Sequence, residues 1–352
     1  MLPFLIRRLV PALLIAALLS CLPGRLAADL VWNPNTGWSV EGGALSGVVG
    51  SERTKAVELM NKARRAEDRQ SYGSAISSYG KVQKKYPNSI YAPEALYRMG
   101  KLRLLRKQYY GAFDAFQQII GRYPNTKRFN EIIGLQYRIA SDLLDGKRSY
   151  IWGLFPGPTG RSNAIAYFEV IVADAPYSDY APLCLMNVAR GHQLRSETDE
   201  AIDALDRLIN SYPQSLLSAD AYFKLAQAHG SLVEGPYYDQ ASTKEAITYY
   251  EDFMILFPSD INLAKAAKGL EGMKTMLAES KIKMADFYFY KRDNYVAAKV
   301  FYNEAITAYP DSEPAQRAKL MLAKVEAKVS GKPVVLPTDV PAPKRKKFLG
   351  IF

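Results

Sequence analysis

The chain has 352 residues, of which 48% are hydrophobic, 23% charged and 24 are tyrosine, and its formal net charge is +11. The apolar share is that of a folded chain, two cysteines are too few for a disulfide-built fold, and the basic excess is not arranged as a nucleic-acid-binding module. The length allows two or three ordinary domains or one elongated array.

Residues 1–20 read as a secretory signal, with Arg7 and Arg8 as the basic segment and Leu9–Leu19 as the apolar one. The run is shorter than the roughly 20 apolar residues needed to span a bilayer. Two processing sites compete. Leu18-Leu19-Ser20-Cys21 resembles a lipobox, which would make Cys21 an acylated lipid anchor, and Leu26-Ala27-Ala28 resembles an ordinary signal-peptidase site. Lipidation at Cys21 is the favoured reading. With Cys21 acylated or removed, no disulfide is possible; Cys184 falls in a helix pattern and is expected to be a buried thiol.

Residues 21–50 read as an extended N-terminal tether, Gly- and Asn-rich from residue 29 and carrying Trp32 and Trp38. From 51 to 330 the chain is organised by a register. Six prolines follow an apolar residue: Tyr86-Pro87, Tyr123-Pro124, Ala175-Pro176, Tyr212-Pro213, Phe257-Pro258 and Tyr309-Pro310. Twelve residues before each stands an alanine (Ala75, Ala112, Ala164, Ala201, Ala246, Ala298), and eight before each a bulky residue (Tyr79, Phe116, Phe168, Leu205, Tyr250, Tyr302). Residues four apart share a helix face. The alanine lets a neighbouring helix approach, the bulky side chain fills the space beside it, and proline ends the unit. Met99-Gly100 completes the likeness to the tetratricopeptide repeat. The register predicts an all-α fold, a tetratricopeptide-like superhelix of about six antiparallel helix pairs with a C-terminal capping helix at Pro314–Val329.

The prolines are spaced 37, 52, 37, 45 and 52 residues apart, against about 34 for a bare repeat. The excess is expected as insertions at Asp145–Arg161 and Val233–Thr243, and as one long helix, or two nearly continuous ones, between Leu263 and Arg292. From residue 331 to 352 the chain is Pro-rich and then basic, with Lys344-Arg345-Lys346-Lys347, and reads as a disordered tail that could touch anionic lipid.

Catalytic and metal chemistry find no support. His192 and His229 stand 37 residues apart with no Cys or Asp cluster, so no metal site is expected. Gly157–Ser162 lacks the lysine and glycine spacing of a phosphate loop, and no nucleophile motif occurs. The expectation is a non-enzymatic scaffold without cofactors. Repeat arrays of this kind bind through a groove lined by the first helix of each pair. By pattern that groove would present Met60, Arg64, Tyr97, Lys101, Leu104, Met186 and Arg190, a mixture suited to an extended peptide with apolar side chains and a C-terminal carboxylate.

Beyond the generic register, Leu277-Ala278-Glu279, Lys283–Tyr288, Asn294–Ala298 and Tyr309–Ser312 resemble the C-terminal repeats of the BamD family, lipoproteins of the outer-membrane β-barrel assembly machine. Gly153-Leu154-Phe155 resembles that family's internal insertion. Where the family has an arginine nine residues before the last proline, Phe301 stands here. The resemblance implies a scaffold at the periplasmic face of the outer membrane. It would bind BamA through the C-terminal repeats, with Phe287, Tyr288, Phe289, Tyr290 and Phe301 as interface candidates, and unfolded outer-membrane proteins through the N-terminal repeats. The rival is a Tol-associated cell-division coordinator, whose usual N-terminal coiled coil has no counterpart in residues 29–50; a peptidoglycan-acting enzyme would need a catalytic constellation.

Overall fold

The computed structural model describes residues 29–41, 51–237, 240–331 and 333. The signal segment, Cys21, the site after Ala28 and the basic tail lie outside them. Among the described residues there are thirteen helices and two short two-stranded hairpins. The chain divides into two compact units, residues 1–180 and 181–352.

The first unit opens with hairpin β1 (Asp29–Asn33) and β2 (Gly37–Glu41). Three helix pairs follow: α1 (Ser51–Asp68) with α2 (Tyr72–Lys85), α3 (Tyr91–Leu105) with α4 (Tyr109–Arg122), and α5 (Phe129–Leu144) with α6 (Arg161–Asp174). A second hairpin, β3 (Arg148–Ile151) and β4 (Phe155–Thr159), fills the insertion expected between α5 and α6. The second unit has α7 (from Tyr180 to Gln193) with α8 (Thr198–Ser211), α9 (Ser218–Ser231) with α10 (Gln240–Leu256), and α11 (Leu263–Lys291) with α12 (Tyr295–Ala308). The capping helix α13 spans Glu313–Ser330. The expected long helix is therefore one element, α11, of 29 residues.

The register explains the core. All six register alanines have no exposed surface, and their bulky partners are buried as well. The residue before each proline leaves the helical region: Tyr86, Tyr123, Ala175 and Tyr212 share φ near −130° and ψ near 55–60°, as the proline ring requires of its predecessor. Their carbonyls then accept from the residue three further on, Ser89, Thr126, Ser178 and Ser215. At the end of first helices a second turn recurs. Gln70, Lys107, Gly146 and Ser196 take positive φ, and the next N–H reaches back five residues, as in Ser71 to Ala66 and Gln108 to Arg103. This is a Schellman closure. The connections are three or four residues long in most pairs, which makes consecutive helices antiparallel.

Cys184 is fully buried in α7, as expected of a small core residue. Among the described residues, two of the apolar clusters lie in the second unit. One gathers Phe223, Tyr250, Phe253 and Ala266; the other joins Ile282, Ala285, Tyr302, Ala318 and Val325 from α11, α12 and α13. No helix among the described residues is long and apolar enough to cross a membrane.

Gly100 offers a direct test of the packing. A Cβ built there would lie 2.6 Å from Phe116 Cε1, a ring with no exposed surface. Replacing glycine by alanine within a helix ordinarily gains up to about 1 kcal/mol. Here overpacking reverses the sign, and Gly100→Ala is expected to cost about 1–3 kcal/mol by chemical denaturation. The cost should shrink in a Phe116→Leu background; a neutral or stabilising Gly100→Ala would contradict this packing.

Candidate binding face

A connected polar arrangement of the first unit lies on and beside the first helices α1, α3 and α5. Arg64 of α1 pairs with Glu67 at 3.3 Å and Asp68 at 3.1 Å. Arg98 of α3 pairs with Glu67 at 3.4 Å and Glu94 at 2.8 Å. Glu94 in turn holds Arg128, just before α5, at 3.2 Å. The Tyr97 hydroxyl donates to Glu131, and Arg128 lies 4.2 Å over the Tyr97 ring. Burial and the Glu131 hydrogen bond push the Tyr97 hydroxyl up to about 12. Burial works against the charged form of Arg98, but Glu94, Tyr79 and Glu67 together hold it above its ordinary value. The result is a ladder of three arginines and three glutamates that ties one helix pair to the next. Arg64 and Arg98, Glu94 and Arg128, and Tyr97 and Glu131 are each 34 residues apart, the bare repeat length.

The hairpin β1–β2 sits on this ladder. Trp32 and Trp38 are cross-strand partners with ring centroids 5.4 Å apart. Arg64 lies over the Trp32 ring at 4.9 Å and Arg98 over the Trp38 ring at 5.0 Å. The Trp38 backbone N–H donates to Asn61 Oδ1 at 2.8 Å. Beyond the hairpin the face opens into a pocket of about 550 Å³, lined by Leu30, Glu94, Tyr97 and Arg128 among others.

The groove residues expected from the sequence divide. Met60 has no exposed surface, so it is a core residue and not part of a groove: it shares the buried side of α1 with Ala56 and Ala63. Tyr97 is nearly buried and holds Arg128 and Glu131 instead of facing outward freely. Arg64 is half-buried under the hairpin. Lys101 is exposed, 5.5 Å from the Tyr97 ring centroid, and Leu104 is half-buried. Met186 and Arg190 lie on α7 of the second unit, half-buried and exposed respectively. Arg98, Glu94, Arg128 and Glu131 were absent from that set, although the 34-residue spacing marks them.

The aromatic run of α11 also divides. Tyr288 stacks on Phe301 with centroids 5.5 Å apart and planes 5° apart. Phe289 packs edge-on against Tyr295. Phe287 and Tyr290 remain 43% and 60% exposed. The tip of the β3–β4 hairpin is a further exposed apolar group, Ile151, Trp152, Leu154 and Phe155. It turns at Gly153, whose φ of +74° suits glycine, and Arg106 donates to the Trp152 carbonyl beneath it. The two histidines have ordinary helix roles: His192 pairs with Glu197 at 2.8 Å, and His229 stacks on Tyr249.

Comparison with known proteins places these features in a family context. The family described as outer membrane lipoprotein matches residues 160–330, and a tetratricopeptide-repeat family matches residues 94–126. The outer membrane protein assembly factor BamD of Rickettsia prowazekii is 25% identical over 194 residues, 54% of this chain and 72% of that protein. BamD of Caulobacter vibrioides is 22% identical over 127 residues, 36% of this chain; the chain thus spans 42% of that relative's length. Among solved structures, MamA of Desulfovibrio magneticus RS-1 aligns at 19% identity and a TM-score of 0.30, over 61% of this chain and 99% of that one. A tetratricopeptide repeat protein of Parabacteroides merdae aligns at 12% and 0.30, over 78% and 99%. The family model over residues 160–330 and the two BamD relatives show the resemblance to the BamD family that the C-terminal repeats announce.

Proposed function

We propose that this chain is a BamD-like, non-enzymatic scaffold at the periplasmic face of the outer membrane, assisting insertion of β-barrel proteins. The observation that carries the reading is the outer-membrane lipoprotein match over residues 160–330, which takes in α11, α12 and α13. On this reading Cys21 is the acylated anchor, and a BamA-like barrel-assembly protein meets the exposed aromatics of α11. The ladder face of α1, α3 and α5, with Lys101 and Leu104, receives unfolded outer-membrane chains. Arg190 and Met186 of α7 belong to the same class of surface.

Affinity purification of the full-length chain from envelopes tests the assignment. The expected result is recovery of a BamA-like protein that resists high-salt washing. Repeated recovery of other envelope proteins without any barrel-assembly component would leave a generic repeat adaptor in its place.

A further inference from the structure

We infer that the face formed by Asn61, Arg64 and Arg98 is a binding site for an extended strand carrying aromatic side chains, and that the hairpin Asp29–Glu41 is its intramolecular occupant. The inference deepens the proposed reading, on which unfolded outer-membrane chains use this face, by naming what the face recognises and what covers it.

The chemistry begins with the guanidinium groups. Each is planar and donates from its edges, so it can pair with carboxylates in its plane and still offer a flat face to a ring. Arg64 and Arg98 use carboxylate partners from Glu67, Asp68 and Glu94, and both guanidinium groups lie against an indole. Every guanidinium of the ladder already has a carboxylate partner, so aromatic faces, more than an unpaired charge, select the occupant. Asn61 adds a main-chain contact by accepting the Trp38 N–H, which any extended backbone can supply. The site is thus read as backbone plus rings, with little demand on the rest of the sequence.

Two observations mark the hairpin as an exchangeable occupant. Trp38 is 5% exposed, yet its indole Nε1 has no hydrogen-bond partner among the described residues. A buried indole N–H ordinarily finds an acceptor, so the hairpin fits the face incompletely. The face also continues past β1 into the open pocket lined by Tyr97 and Arg128, which leaves room for a longer strand than the hairpin provides. Nine residues, 42–50, join the hairpin to α1, and nine residues reach at most about 30 Å when extended. The hairpin meets α1 and α3 through the side chains of Asn61, Arg64 and Arg98, so its departure would break no backbone hydrogen bond of those helices.

The test uses the full-length chain and a labelled synthetic peptide of the sequence Asp29–Glu41. The double variant Trp32→Ala/Trp38→Ala is expected to bind the peptide at least tenfold more tightly than the wild type, whose own hairpin competes. The gain should vanish when Arg64→Gln and Arg98→Gln are added, or when both tryptophans of the peptide are alanine. A double variant with native helical content that fails to bind the peptide overturns the inference, as does binding that ignores the arginine substitutions. If the double variant does not fold, native-state hydrogen exchange of the unmodified chain decides. Hairpin amides exchanging well before those of α1 and α3 support an exchangeable occupant, and exchange only with global unfolding refutes it. Neither readout depends on envelope partners, so failure of the purification above and failure here are separable.

Discussion

Above about pH 10 the chain is expected to lose stability steeply, through its buried tyrosines. Tyr79 and Tyr302 occupy the bulky register positions of α2 and α12 and have no exposed surface. The Tyr79 hydroxyl donates to Glu67 at 2.8 Å, and the Tyr302 hydroxyl donates to Asp286. Burial first, and the carboxylate second, push both hydroxyls far above the ordinary tyrosine value, as they do Tyr97. The folded state therefore holds neutral phenols, whereas an unfolded tyrosine ionises near 10. Stability from these groups is fully present below pH 10 and is lost as pH rises from there through the folded values. Each tyrosine ionised only in the unfolded chain removes about 1.4 kcal/mol per pH unit. Three together remove about 4 kcal/mol per unit, a large part of a typical domain's 5–15 kcal/mol. Denaturant midpoints at pH 9, 10 and 11 measure the slope. Tyr79→Phe and Tyr302→Phe should each lower stability at neutral pH, by removing a hydrogen bond to a carboxylate, and should each flatten the alkaline slope. A slope unchanged in both variants would show that other groups carry it.

The same register positions show what the sequence makes legible. Alanine and a bulky residue four apart, with proline eight further on, determine which face of each second helix is buried and where the helix stops. Those constraints are local, and all six copies are seen in the structure. The turns after first helices were hidden because their left-handed residues are Gln70, Lys107 and Ser196 instead of glycine. The stabilising element there is the backbone closure, which leaves no compositional mark. Binding residues were harder to read. Met60 has the periodicity of a groove position, but it lies with Ala56 and Ala63 on the buried side of α1, and periodicity alone does not say which side of a first helix faces the core. The ion-pair ladder is a relation between repeats, visible only when residues 34 apart are compared. The composition of Asp29–Glu41 implies extended chain, and nothing in Trp32 or Trp38 alone says that both rings lie on arginines of α1 and α3.

Removing the exposed aromatics of α11 is expected to abolish partner recovery while leaving the fold intact. Phe287, Tyr288, Phe289 and Tyr290 are consecutive, and successive helical residues turn by about 100°, so the four rings point around the whole helix. Tyr288 and Phe289 point toward α12, against Phe301 and Tyr295. Phe287 lies under Arg292 at 5.3 Å, and the Tyr290 hydroxyl reaches the Met321 sulfur at 3.9 Å; both residues keep much of their surface exposed. Truncating such positions should cost less than about 1 kcal/mol of stability, since surface substitutions outside the core rarely cost more. As interface anchors, each would instead contribute about 2 kcal/mol or more to binding, near 30-fold in Kd. The expected pattern is therefore a split. Phe287→Ala/Tyr290→Ala should keep its melting temperature to within a few degrees and lose nearly all of the BamA-like protein in purification from envelopes. Phe289→Ala should do the reverse in part, lowering stability through the lost packing on Tyr295 while retaining the partner at temperatures where it stays folded. Undiminished recovery by the Phe287/Tyr290 double variant would place the contact elsewhere, with the exposed Val296 and Val300 of α12 as the next positions to replace.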